Sequence, residues 1–113
     1  MGIEIALYDD HPNKGGRSVP TLLHLSVDHG PALAAALAAH AGPADRRPGR
    51  LGRIDPYGDT RFNEQDAGAA FEEATVLLAR CTTEEERAAV RDLRNLLAHC
   101  AATPGSWLHF LGD

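Results

Sequence analysis

Ten consecutive residues, 54–63, combine a predicted rigid turn with two carboxylates, a tyrosine and an arginine. Asp55 can accept a hydrogen bond from its own backbone, Pro56 presets the φ angle of the second turn position, and Gly58 suits the fourth position. These preferences predict a type I β-turn, and rigid turns often carry binding residues. Asp55 and Asp59 could also act as a general acid and base, but such carboxylates more often cap a turn or the helix after it.

A tyrosine beside two carboxylates is typical of a protein-contact surface. Tyr57 occupies the apex of the predicted turn, where we expect its ring to be partly exposed. Exposed aromatic anchors contribute much of the affinity of protein interfaces, and charged neighbours steer a partner of opposite charge. The predicted partner-binding residues are Asp55, Tyr57, Asp59 and Arg61.

The chain has six histidines, and several of them lie close to carboxylates in the sequence. Imidazole and carboxylate groups are common metal ligands. No two histidines have the His-x3-His or His-Glu-x-x-His spacing that places two ligands on one face of a helix. A site would therefore gather its ligands from separate strands and loops. The candidate ligands are Asp10, His11, His24 and His109.

Catalysis by a thiol or a serine is not expected from the sequence. Cys81 and Cys100 fall at the apolar ends of predicted helices, which is typical of buried thiols. His99 precedes Cys100, but successive helical residues diverge by about 100° and do not face each other. No serine has the Gly-x-Ser-x-Gly pattern of a nucleophile elbow.

Length and composition predict one α+β domain over residues 1–113, with flexible loops at about 9–18 and 43–52. Apolar residues make up 43% of the chain but aromatic residues only 5%, which favours helices packed on a small sheet over a β-sandwich. We expect a sheet of three or four strands packed against a helical hairpin and one short helix.

The formal net charge of −5 argues against general affinity for nucleic acid or for an anionic membrane. A basic cluster at 46–53 contains Arg46, Arg47, Arg50 and Arg53. No aromatic residues interleave with it, so a solvated loop is the favoured interpretation. The amino terminus lacks the pattern of a secretory signal, and no apolar run approaches the roughly 18 residues of a membrane span. These features predict a cytoplasmic protein.

Alternating apolar and polar residues predict three strands. Residues 3–8 form the first, residues 19–27 the second, and residues 106–111, apolar on both faces, a central and well-covered strand. Residues 51–54 are predicted to form at most a short strand before the turn, or equally an irregular segment.

Cap and stop signals predict three helices. The first begins near Gly30 and ends at Gly42-Pro43. The second begins at a cap formed by Asn63 or Asp66 and runs to about Arg80. The third begins at Thr83, with Glu86 completing a capping box, and ends before Pro104. The short connection at 80–83 predicts an antiparallel helical hairpin.

The sequence Ile-Asp-Pro-Tyr-Gly-Asp-Thr at 54–60, followed by Phe62-Asn63 and by the closing Leu-His-Phe-Leu-Gly-Asp at 108–113, resembles a family of small uncharacterised bacterial proteins. The resemblance covers roughly residues 51–113. It implies that the turn and the last strand are defining features, and it implies no activity.

Three functions are compatible with these features. The leading hypothesis is a non-enzymatic interaction protein, such as an immunity protein, an antitoxin or a small regulatory subunit, that binds a basic protein through an acidic surface. The alternative is a small-molecule or metal-binding protein, or a small enzyme, using His24, His109, Asp55 and Asp59 between sheet and helices; the sequence predicts no other cofactor. The third is a homo-oligomer formed through an unpaired edge strand, with residues 3–7 as the candidate edge.

Overall fold

The computed structural model describes residues 2–9, 21–40 and 49–112. Its elements follow the order β1 (Ile3–Tyr8), β2 (Leu22–Ser26), α1 (Gly30–His40), a 3-10 turn (Leu51–Arg53), β3 (Asp59–Phe62), α2 (Glu64–Arg80), α3 (Glu84–Ala102) and β4 (Trp107–Gly112). The four strands form one antiparallel sheet in the order β2-β1-β4-β3. The predicted α+β class is confirmed.

One face of the sheet carries the apolar core because alternate residues of the paired strands are in register. Ile5 lies opposite Phe110 and Leu7 opposite Leu108, and all four side chains are buried. Phe62 of β3 pairs with Leu108, and its ring packs edge-on against Phe110 with the ring centroids 4.9 Å apart. The helices cover this apolar face.

Strand β1 lies inside the sheet. It pairs with β2 along one side and with β4 along the other, so all its neighbours are strands of the same sheet. The prediction that residues 3–7 form an unpaired edge is therefore wrong. The prediction of a central last strand is confirmed, because β4 lies between β1 and β3.

The structure differs from the sequence prediction on both sides of the turn. Residues 51–53 form a 3-10 turn, so the short strand that was one of the two expectations for this segment is wrong. The Glu73 carboxylate accepts hydrogen bonds from the backbone N–H groups of Arg50 and Leu51, at 3.0 and 2.9 Å, and so holds this turn against α2. Strand β3, which the sequence did not predict, separates the turn from α2.

Both long helices begin at predicted caps. The Asn63 side chain accepts from the Asp66 N–H at 2.8 Å and Asp66 accepts from the Asn63 N–H at 3.4 Å, which forms a capping box. Thr83 caps α3 by accepting from the Glu86 N–H at 3.1 Å. The Glu86 carboxylate accepts from the N–H of Thr82, one residue before the position that a capping box requires.

Helices α2 and α3 form the predicted hairpin, and α1 packs on α3 and β1. Their buried side chains join those of the sheet in one cluster, with Leu33 and Leu37 from α1, Ala70 and Ala74 from α2, and Val90, Leu93 and Leu97 from α3 among its members. In the described ranges, no helix is both long and apolar enough to cross a membrane.

Candidate functional site

The turn at 55–58 has the hydrogen bonds that its sequence predicts. The Gly58 N–H donates to the Asp55 carbonyl at 3.4 Å, which closes the β-turn. The Tyr57 N–H donates to Asp55 Oδ1 at 2.9 Å, so the aspartate side chain supports the same turn. Asp55 is therefore a structural residue as well as a surface carboxylate.

The turn is also fixed to the rest of the molecule. The Gly112 N–H at the end of β4 donates to the Gly58 carbonyl at 2.8 Å. Thr60 Oγ1 accepts from the Asp55 N–H at 3.0 Å and donates to the Arg53 carbonyl at 3.3 Å. The backbone that carries Tyr57 is thus tied to two strands and to the segment before the turn.

Tyr57 is 66% exposed, the largest exposed fraction among the large apolar and aromatic side chains of the described residues. Asp55 and Asp59 on either side of it are exposed as well. The structure therefore places an accessible ring between two accessible carboxylates, on a backbone that its hydrogen bonds hold in place.

Asp59 and Arg61 continue from the turn along β3, on the sheet face opposite the helices. Arg61 lies opposite His109 of β4, and His109 Nε2 lies 3.6 Å from Asp59 Oδ2. Arg61 Nε is buried without a hydrogen-bond partner. The structure brings three of the four predicted partner-binding residues to the turn and its border, and it places the fourth, Arg61, beside His109.

The two candidate metal ligands that the structure describes, His24 and His109, lie on opposite faces of the sheet. His109 lies opposite Ala6 of β1, on the sheet face away from the helices. His24 lies opposite Leu7, on the face toward the helices. The His24 ring lies against that of His99 on α3, with centroids 5.4 Å apart. Asp10 and His11 lie outside the described residues.

Within the part of the chain that the structure describes, no group of three or more His, Cys, Asp or Glu side chains is arranged to hold a metal ion. A site that combines His24 with His109 between sheet and helices would need both on one face of the sheet. The alternation of side chains along β2 and β4 puts them on opposite faces.

Both cysteines are free and buried, as the sequence predicts. Burial is the largest cause that raises the pKa of each thiol, with the Glu86 carboxylate adding to it at Cys81. The Ser106 hydroxyl lies 3.3 Å from Cys100 Sγ and 2.9 Å from the Cys100 carbonyl oxygen, inside the core. These thiols are protonated at neutral pH and serve as packing groups.

The described half of the arginine cluster is paired with the start of α2. Arg50 Nε and Arg53 Nη1 lie 3.3 and 3.5 Å from Asp66 Oδ1, the carboxylate that also belongs to the α2 capping box. Arg46 and Arg47 lie outside the described residues. The sequence indicated Asp66 only as a cap of α2. It did not indicate that Asp66 pairs with Arg50 and Arg53.

A surface cavity of about 420 Å³ lies where the start of α1 meets the start of α3. Asp28, Glu84 and Glu85 line it together with His29. The sequence signal for this group is the acidic run at 84–86 in the first turn of α3, where carboxylates also stabilise the positive end of the helix dipole. The loop before α1 adds Asp28 and His29, which brings four ionisable residues to the same place on the surface.

Comparison of the chain with models of protein families, with curated proteins and with solved structures finds no match. The resemblance of residues 51–113 to a family of small bacterial proteins stays a prediction.

Proposed function

We propose that the protein is a non-enzymatic interaction module and that Tyr57 on the fixed turn is its principal contact residue. The observation that supports this most is the contrast between a largely exposed ring and a backbone held by hydrogen bonds. A tyrosine buries a large area for few rotatable bonds, and a fixed turn loses little conformational freedom on binding.

The proposed partner is a protein with a basic contact surface. Asp55 and Asp59 flank the ring, and the whole chain carries a net charge of −5. Opposite charge on a partner raises the association rate and fixes the docking orientation, while the buried ring supplies the affinity. An immunity protein, an antitoxin or a small regulatory subunit in the cytoplasm would have this combination of small size, acidic charge and a rigid contact.

The test compares complexes recovered from the native host by native mass spectrometry. The variant is Tyr57→Ala with Asp59→Asn, which removes the ring and one charge but leaves the Asp55 hydrogen bonds in place. The matched control is Val76→Ala with Glu72→Gln, an exposed pair on α2. We expect the wild type and the control to carry a second polypeptide and the turn variant to lose it. Recovery of the same complex with the turn variant would overturn the proposal.

The second candidate function, a small-molecule or metal site, is supported by one contact. His109 and Asp59 lie 3.6 Å apart on the sheet face away from the helices, with Arg61 as their neighbour. The candidate is therefore restricted to this face and no longer includes His24. The same mass spectra test it, because a bound mass lost in His109→Ala but kept in His29→Asn would support a ligand at this position.

A further inference from the structure

Strand β2 forms one border of the sheet. Among the described residues, it pairs with β1 and with no other strand. Its second side therefore presents backbone N–H and C=O groups that no strand of the described fold satisfies. Such an edge is a template for another extended chain.

Proteins protect an edge strand with lysine, proline, an inward-pointing charge, a bulge or a short length. β2 has no such residue, and only its five-residue length and the register shift beside Leu22 limit pairing along it. Its sequence, Leu-Leu-His-Leu-Ser, contains no carboxylate, lysine or arginine. The described residues include six exposed large apolar or aromatic side chains, and four of them lie on or beside this strand. They are Leu22, Leu23, Leu25 and Val27, each between 41% and 52% exposed.

The orientation of the strand is fixed by its polar side. His24 faces the helices and packs against His99, and Ser26 on the same side donates a hydrogen bond to Asp92 of α3. Leu25 lies opposite Ala6, on the face away from the helices. A half-buried strand normally buries its apolar residues and exposes its polar ones. β2 buries none of its side chains: His24 and the three leucines are exposed and Ser26 is half-buried. Its leucines are therefore placed for a contact outside the described fold.

We propose that β2 pairs antiparallel with β2 of a second copy of this chain, joining two four-stranded sheets into one of eight strands. A two-fold interface brings the same surface from each copy together. When two copies of an acidic protein meet, most contacts bring carboxylates of the two copies close together, which is unfavourable. A contact through the uncharged strand β2 avoids this repulsion. A basic partner, by contrast, would find no carboxylate on the strand itself to pair with.

The two contact surfaces would then work independently. The order β2-β1-β4-β3 puts the Tyr57 turn, which leads into β3, at the border of the sheet away from β2. A dimer through β2 therefore leaves both turns free at the outer ends of the joined sheet. The inference does not rest on the proposed function, and either can fail without the other.

The size of the interface predicts a weak dimer. Two five-residue strands bury less than the roughly 1,200 Å² that separates weak from standard interfaces. We expect a dissociation constant on the order of 10–100 µM, within the range of weak and transient complexes. The full-length chain should therefore change from monomer to dimer as its concentration rises.

The experiment is sedimentation equilibrium of the full chain over a concentration series from about 5 to 500 µM, chosen to bracket that range. The variants are Leu25→Lys and Leu23→Lys, which place a charge on the edge strand. The matched control is Val76→Lys, which makes the same kind of change at an equally exposed position on α2. We expect each edge variant to raise the dissociation constant at least about tenfold and the control to leave it unchanged.

Circular dichroism and thermal unfolding establish that the lysine variants keep the fold. Amide hydrogen exchange adds a local readout, since protection in β2 should rise with concentration in the wild type and stay constant in Leu25→Lys. A wild type that is monomeric at the highest concentration would overturn the inference and leave the edge for a different polypeptide. So would a dimer that Leu25→Lys does not weaken. Concentration-independent protection of the outer β2 amides in a monomer would also overturn it, and would point to residues 10–20 as the cover.

Discussion

Gly112 shows how a single residue joins the contact turn to the sheet. Its N–H donates to Gly58, and a Cβ atom at this position would lie 2.4 to 2.6 Å from the backbone of Asp55 and Pro56. The atoms in the way belong to the main chain, so they cannot move aside as the end of a flexible side chain can. A residue larger than glycine would separate the turn from β4.

The first prediction compares Gly112→Ala with Gly68→Ala. The Gly112 substitution should lower the free energy of unfolding by about 1–3 kcal/mol, the usual cost of forcing an atom into a packed site. Gly68 lies within α2, where a Cβ would meet only the Ala101 methyl at 4.0 Å. Alanine there should raise the free energy by about 0.5–1 kcal/mol. Urea unfolding of both variants measures these values, and equal midpoints would contradict the contact described at Gly112.

Local signals predicted the secondary structure best. The three helices and the strands β1, β2 and β4 follow from periodicity and from caps that act within a few residues of the chain. Strand β3 was missed because its four residues follow the turn directly and precede the α2 cap. Its strand character comes from pairing with β4, which local sequence does not encode.

The side of β2 that lies toward the helices was beyond local prediction for a related reason. The alternation of its side chains gave the strand, but which side faces the helices is set by His99 and Asp92 on α3. Those residues lie far away in the sequence. The same limit applies to residues 51–53, where the carboxylate of Glu73 stabilises a 3-10 turn in place of the expected strand.

The second prediction concerns the start of α2. Asn63→Ala removes the side chain that accepts from the Asp66 N–H, and it should lower the free energy of unfolding by about 1 kcal/mol. Gln65→Ala is the matched control, because Gln65 is exposed in the same helical turn and caps nothing. It should change the free energy by less than about 0.5 kcal/mol. Thermal unfolding distinguishes the two, and an unchanged stability of Asn63→Ala would show that the capping box contributes nothing.

At the scale of the whole molecule, pairing between distant segments sets both the fold and the candidate site. The first and last strands are adjacent, with Ile5 opposite Phe110. The pairing of β3 with β4 brings His109 to Asp59. The registers of β1 with β2 and with β4 put His24 on the other face of the sheet. The sequence identified the turn and its exposed tyrosine, since these depend on neighbouring residues. It could not tell which histidines share a face, because that depends on registers between strands distant in sequence.

The last prediction follows from the adjacency of the first and last strands. A sheet whose two central strands are the first and the last of the described fold, with all three helices packed on one core, should unfold as a unit. Trp107, the only tryptophan, begins β4 opposite Tyr8 and reports on the sheet. Far-ultraviolet circular dichroism reports chiefly on the helices. In urea the two signals should therefore give the same midpoint.

Two variants make this test sharper. Val90→Ala removes two methyl groups from a fully buried side chain on α3 and should lower the free energy of unfolding by about 1–3 kcal/mol. Although Val90 lies on a helix, both midpoints should shift together. Val76→Ala makes the same chemical change at an exposed helical site and should raise both midpoints slightly, because alanine has the higher helix propensity. A Trp107 transition that stays in place while the circular dichroism transition moves would mean that sheet and helices unfold separately, and the single-domain prediction would then be wrong.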